Sequence, residues 1–277
     1  MDYQFIVVHR SSQVTTITLS RPEVMNAIHP PMHGELQQAL DAFAADAEQR
    51  VCVLTGAGER AFCAGSDLKF AATSESGVGA GKHTYSRFGY GGIAERFDLT
   101  KPVIAAVNGV ALGGGFEIVL ACDLVIAADT ALFGLPEPLV GAIALGGGLH
   151  RLPRQIGLKP ALGIILTGRK VGAAEGKALG FVNEVVTRAD LAATVDRWTA
   201  DILRCSPVAT EASKEVVHRG LAERSLADAM RNQRDYGGFR AWLESEDFRE
   251  GPRAFAEKRS PNWSITRAHS GRCDRSR

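Results

Sequence analysis

A chain of 277 residues, 45% hydrophobic and 23% charged, is long enough to bury roughly three quarters of its unfolded surface without disulfides or a structural metal. Its 32 basic and 31 acidic side chains leave a formal charge of +1, so no broad positive field exists to hold nucleic acid or an anionic membrane. Apolar stretches are interrupted by Asn, Gly, Asp or Pro well short of the ~20 residues of a membrane span. Residues 1–20 carry an early Asp2 and lack the basic start of a signal peptide, so the cytoplasm is the expected location. The five cysteines make no Cys-x-x-Cys pair and the seven histidines no His-Glu-x-x-His, so neither a disulfide framework nor a metal centre is expected.

In chain order, Val14–Leu19 is β-branched and alternating, the pattern of a strand. From Pro31 to about Glu48, Met32, Leu36, Leu40 and Phe43 form a helical stripe. Val51–Leu54 and Val103–Val107 are apolar strand runs ended by Thr55-Gly56 and Asn108-Gly109. A helix is expected over Phe116 to about Cys122, followed by strands at Leu124–Ala127 and Ala131–Gly134. Repeated strand-and-helix units with Val/Ile-rich strands define an α/β fold. After Ala189 the strand signals fade, and Leu191–Ile202, Val208–Arg219 and Ser225–Glu244 read as helices. The expected division is a core over 1–190, a helical region over 191–263 and a disordered polar tail over 264–277.

The run Ser74–Gly92 is rich in Gly and Ser, as functional lids and disordered loops are. Gly81-Lys82 lies within it, but a P-loop would need Gly at position 76 and Ser or Thr at 83, where this chain has Ser76 and His83. A nucleotide-triphosphatase is therefore rejected, and Asn108–Glu117 likewise lacks the Gly-x-Gly-x-x-Gly of a dinucleotide site.

Three segments carry chemistry. Ala61–Leu68 is a turn of small residues after a strand, and Asn108–Glu117 carries Gly113-Gly114-Gly115 at a helix start. Such a start offers open N–H groups and the positive end of a dipole to an oxygen gaining negative charge. Glycines there serve tight helix–strand packing equally well. Phe133–Glu137 sets an acid after a short strand, and Glu117 lies in the apolar run Phe116–Leu120. Buried glutamates sharing one cavity would have raised pKa values suited to acid–base work. Two salt-bridged structural carboxylates would produce the same spacing.

These segments, in this order, resemble the enoyl-CoA hydratase (crotonase) superfamily from about Tyr3 to Trp263. Arg21-Pro22, Asn26-Ala27, Lys101–Gly109, Cys122-Asp123 and Leu166–Arg169 add to the likeness. The Gly-rich run before Lys101 and Glu250–Arg259 look most like carnitinyl-CoA dehydratases. The resemblance implies a spiral of ββα units whose C-terminal helices pack against neighbours in a homotrimer or a dimer of trimers. It implies an acyl-CoA thioester substrate, with no separate cofactor because CoA is part of that substrate. It maps an oxyanion hole to the amides of Ala64 and Gly114, and the two acid–base residues to Glu117 and Glu137. In a hydratase, Glu117 would orient and deprotonate water for attack at Cβ, and Glu137 would protonate Cα. Gly65, Ser66 and Asp67 would line the pantetheine end, although Ser66 and Asp67 also suit a helix cap. Arg21 and Lys69 are read as surface charges rather than CoA ligands.

The chain departs from the family after Glu137, where Ala144 and Leu145 replace a Pro-Gly or Pro-Asp pair. Leu145 is expected to make the acyl wall bulkier and more apolar, which disfavours a trimethylammonium group. Reversible syn hydration of a trans-2-enoyl-CoA to a 3-hydroxyacyl-CoA is the leading expectation, with carnitinyl-CoA dehydratase as the nearest alternative. An isomerase and a hydroxycinnamoyl-CoA hydratase-lyase are disfavoured by Glu117, and an RNA-binding relative by the near-neutral charge.

Overall fold

The structure is a computed structural model that describes residues 2–73 and 85–264. The sequence readings of residues 74–84 and of the tail from 265 onward lie outside the described residues. Among the described residues, ten strands form two sheets. The larger contains β1 (Ile6–Ser11), β2 (Val14–Leu19), β3 (Val51–Gly56), β5 (Val103–Val107), β7 (Leu124–Ala128) and β10 (Glu184–Val186), in that spatial order. The smaller contains β4 (Ala61–Cys63), β6 (Val110–Leu112), β8 (Leu132–Gly134) and β9 (Val171–Gly172). All pairings are parallel except the β1–β2 hairpin and β8–β9.

Each turn of the chain therefore visits the large sheet, then the small one, then leaves as a helix or turn. β3 and β4 lead to α2 (Leu68–Thr73), and β5 and β6 lead to α3 (Gly114–Ala121). β7 and β8 lead to a 3-10 turn at Glu137–Val140. This is the spiral of ββα units that the resemblance implied.

At β3, β5 and β7 the large sheet is buried on both faces, which explains why these strands are continuous apolar runs whereas β2 alternates. Cys52, Leu54, Val103, Ala105, Val107 and Val125 face the main core with Leu36, Leu40 and Phe43 of α1 (Pro30–Ala45). Val51, Val53, Ile104, Ala106 and Ile126 face Leu191 and Val195 of α7 (Leu191–Leu203). Lys101 is buried with its Nζ donating to the Phe43 and Asp46 carbonyls, at 2.9 and 2.6 Å. It satisfies acceptors at the C-terminus of α1, where a cation also suits the dipole.

Between these regions lie α4 (Gly148–Ile156), α5 (Leu158–Thr167) and α6 (Ala173–Leu179). The C-terminal chain continues through α8 (Pro207–Gly220), α9 (Leu226–Asn232), α10 (Gly237–Glu244) and α11 (Asp247–Ala256). α8 is fastened to the core by Lys214, which donates to Asp123 at 2.6 Å and to the Lys101 carbonyl at 2.9 Å. The single helix expected over Ser225–Glu244 is broken at Tyr236, which is extended. Gly238 then lies so close to α8 that a side-chain carbon there would stand 2.9 Å from the Ala212 Cα, so contact with α8 overrides local helical pattern. Among the described residues, no helix is long and apolar enough to cross a membrane.

Candidate active site

The small sheet assembles the site. β4, β6 and β8 are parallel neighbours, with Cys63 in register with Ala111 and Leu112 with Gly134. Three turns therefore leave the same carboxyl edge side by side: Ala64–Asp67, Gly113–Glu117 and Leu135–Glu137. Parallel sheets commonly bind ligands at such edges.

The first turn corrects one expectation. The Ala64 N–H donates to the Met25 carbonyl at 3.0 Å and is not open to a ligand. Ser66, two residues on, forms a parallel bridge with Ile28. The Ile28 N–H donates to the Gly65 carbonyl at 2.8 Å, and the Asp67 N–H to the Ile28 carbonyl at 2.9 Å. In that pattern the central residue's own N–H points away from the paired strand. The Ser66 amide accordingly has no partner among the described residues. A side-chain carbon on Gly65 would meet the Leu112 carbonyl oxygen at 2.8 Å and the Gly114 nitrogen at 3.2 Å, so the first two turns are in contact. Gly114 opens α3, and its N–H too is unpartnered among the described residues, the next bond being Glu117 N–H to the Gly113 carbonyl at 3.0 Å. The structure thus brings together the open amides of Ser66 and Gly114, not those of Ala64 and Gly114.

Packing is a second reason for the glycine run. A side-chain carbon on Gly115 would lie 2.1 Å from the Cys63 carbonyl oxygen, and one on Gly114 at 2.1 Å from the Tyr90 ring. Close approach and open amides coexist on the same three residues.

Both expected acids reach this helix start. Glu117 is 3% exposed, and its Oε1 accepts from the Gly148 N–H at 2.9 Å. Burial pushes its carboxyl up to about 7, with the Glu137 charge adding to the effect and the Gly148 and Gly146 amides opposing it. Glu137 Oε1 stands 2.9 Å from where a side-chain carbon on Gly113 would be. Its Oε2 is buried without a hydrogen-bond partner among the described residues, and burial raises this carboxyl too. The two therefore titrate as a pair. The two N–H donors at Glu117 offset part of its burial cost, whereas Glu137 Oε2 has no such donor among the described residues.

Other expected site residues fall elsewhere. Asp67 accepts from Arg21 Nη2 at 3.0 Å and from the Phe70 N–H at 3.1 Å. Burial opposes its charge, but the Phe70 amide and the Arg21 guanidinium overcome this and hold the carboxyl below the ordinary range. Arg21 also donates to the Ala27 carbonyl, so this ion pair ties the first turn to the N-terminal loop. Leu145 is 64% exposed, while Ala144 beside it is buried. The wall against Glu117 is the backbone of Gly146, where a side-chain carbon would lie 2.5 Å from Oε2.

The sequence did not single out Tyr85 and Tyr90. Tyr90 is buried, and its ring centroid lies 4.7 Å from that of His33 and 5.5 Å from that of Tyr85. Burial, and then the Glu117 and Glu137 charges, raise the Tyr85 phenol. The available signal was two tyrosines inside a glycine-rich run, Tyr85–Gly92.

A fold of this kind, with open amides and paired acids at one sheet edge, defines an acid–base enzyme site. The sequence model of the enoyl-CoA hydratase/isomerase family matches residues 9–266, and the chain belongs to that family. It is 42% identical over 258 residues to a carnitinyl-CoA dehydratase of Proteus mirabilis (strain HI4320), covering 90% of this chain and 94% of the relative. It is 41% identical over 258 residues to the carnitinyl-CoA dehydratase of Escherichia coli (strain K12), covering 92% and 96%. Among solved structures, an enoyl-CoA hydratase from Bacillus anthracis superposes with a TM-score of 0.86 at 36% identity, covering 95% of this chain and all of that one.

Proposed function

We propose that this enzyme catalyses the reversible syn addition of water to a trans-2-enoyl-CoA, giving a 3-hydroxyacyl-CoA. The observation that carries the reading is the convergence of a buried carboxyl, Glu117, and a half-buried one, Glu137, on a pair of unpartnered amides. The Ser66 and Gly114 N–H groups would hold the thioester oxygen and stabilise the enolate that develops there. Glu117, held by two backbone donors, would take a proton from water as its oxygen bonds to Cβ, and Glu137 would deliver a proton to Cα. Gly65 and Ser66 would flank the pantetheine arm, with Asp67 holding the turn through Arg21. CoA is part of the substrate, and no further cofactor enters this scheme.

The acyl group admits a second reading. The relatives named carnitinyl-CoA dehydratases favour a trimethylammonium-bearing acyl group, and an aromatic ring such as Tyr85 suits such a cation. Incubation with crotonyl-CoA and with crotonobetainyl-CoA, following loss of the conjugated thioester absorbance, separates the two. Failure to hydrate either ester refutes the hydratase reading. Glu117→Gln or Glu137→Gln should abolish turnover while retaining ester binding, and unchanged turnover overturns that residue's role.

A homotrimer or dimer of trimers in the cytoplasm accompanies this reading. Leu221, Leu226 and Phe255 are exposed on or beside the C-terminal helices, apolar surface of the kind an oligomer covers, and the molar mass in solution checks it.

A further inference from the structure

We propose that the Tyr90 hydroxyl is a third hydrogen-bond donor to the thioester oxygen, beside the amides of Ser66 and Gly114. This inference rests on the acyl-CoA reading above and adds to it a side-chain catalytic residue. The phenol touches both residues whose amides are open. Its Oη accepts a hydrogen bond from Ser66 Oγ at 3.3 Å. On the other side it lies 2.5 Å from the position a side-chain carbon on Gly114 would take. Gly114 thus leaves room for a phenol where any other residue would put its own side chain.

The proton count points the same way. Either hydroxyl can donate in the 3.3 Å bond between them, so when Ser66 donates the phenol proton is free for a second acceptor. Tyr90 is 2% exposed, and a hydroxyl this deeply buried ordinarily finds one. An oxygen held by the two amides would supply it.

The chain is shaped to bring the ring there. Gly89, Gly91 and Gly92 have φ of 72°, 63° and 67°, a region that favours glycine. The Gly91 N–H donates to His33 Nδ1 at 3.0 Å, and the His33 ring packs edge-on against Tyr90. Burial keeps His33 neutral at ordinary pH, with its proton affinity lowered to about 4, so Nδ1 is an acceptor. Burial also keeps the phenol protonated, so Tyr90 would donate a hydrogen bond without transferring a proton.

Tyr90→Phe removes the hydroxyl and keeps the ring. With crotonyl-CoA, kcat should fall about tenfold or more while KM changes less than about threefold, because the bond strengthens as the oxygen gains charge. A readout independent of turnover is the absorbance of a bound cinnamoyl-CoA carrying a para-dimethylamino group, which moves to longer wavelength as its carbonyl is polarised. The wild-type shift should be clearly reduced in Tyr90→Phe. A full shift with unchanged kcat in a folded variant overturns the proposal and leaves the hydratase reading standing. Absence of both a shift and hydration in wild type would refute that underlying reading instead. If Tyr90→Phe does not fold, fluorotyrosine incorporated at position 90 retains the ring and donates more strongly. It should deepen the shift, and an unaltered shift overturns the proposal.

Discussion

Replacing Glu117 by Gln tests whether its carboxyl is as desolvated as its surroundings require. At 3% exposure the side chain keeps almost no hydration, and burial, reinforced by the Glu137 charge, moves its proton affinity from 4.5 to about 7. A folded state that binds a proton more tightly than the unfolded chain loses stability as pH rises through that interval. Each tenfold difference in affinity is worth about 1.4 kcal/mol, so ionising Glu117 costs the fold about 3 kcal/mol by the alkaline side of neutrality. Gln keeps an acceptor for the Gly148 N–H but places an NH2 near the Gly146 amide, a penalty that does not vary with pH. The diagnostic quantity is therefore the change in relative stability: from about pH 5 to about pH 9 the variant should gain about 3 kcal/mol on wild type. Urea unfolding at several pH values and one fixed protein concentration measures it. Stability curves that run parallel over the whole range would refute the buried-acid reasoning.

Ser66→Pro deletes the open amide and should lower kcat at least a hundredfold, whereas Ser66→Ala keeps it and should have a much smaller effect; steady-state kinetics with crotonyl-CoA compares them. Gly114→Ala drives a carbon to within 2.1 Å of the Tyr90 ring and should cost about 1–3 kcal/mol, and a double-mutant cycle with Tyr90→Ala by denaturant titration should show a favourable coupling of similar size. Asp123→Ala leaves Lys214 and the Val103 N–H without their shared acceptor and should cost about 3 kcal/mol or more, seen as a lowered thermal midpoint; an unchanged midpoint would show that the α8 fastening contributes nothing.

The central strands β3, β5 and β7 were legible because burial on both faces leaves short apolar runs, and β2 because it alternates, whereas the edge strands β1 and β10 carry neither pattern. Glu117 and Glu137 stood out for the complementary reason that each interrupts an apolar context, although their convergence depended on β6 and β8 being neighbours, which a local pattern does not encode. The choice between the Ala64 and Ser66 amides was not legible. Both lie in one small-residue turn, and which is free depends on Met25 and Ile28, distant in sequence, taking up the bonds on either side. Tyr90 was hidden because glycines at positive φ erase the periodicity from which burial is read. The break before α10 was hidden for a related reason, since helix propensity there yields to contact with α8.

The site opposes stability in two ways, and the fold shows how both are tolerated. Open amides and partnerless carboxyl oxygens each lose water on burial without a protein partner in return. They also cannot be moved to the surface, because exposure would return Glu117 to an ordinary acidity and fill the amide pair with water. The compromise is to concentrate these groups at the carboxyl edge of the short β4–β6–β8 ladder, where each is supplied by a turn of only a few residues. The large sheet, sandwiched between α1 and α7, adds apolar burial on both its faces. Few core side chains are then asked to accommodate a polar neighbour, and the glycines at 114, 115, 146 and 148 let backbone rather than side chains form the walls. Such walls cannot relax by changing rotamer. A substitution that adds even one carbon at Gly114 or Gly146 should therefore disturb catalysis more than its cost to global stability suggests.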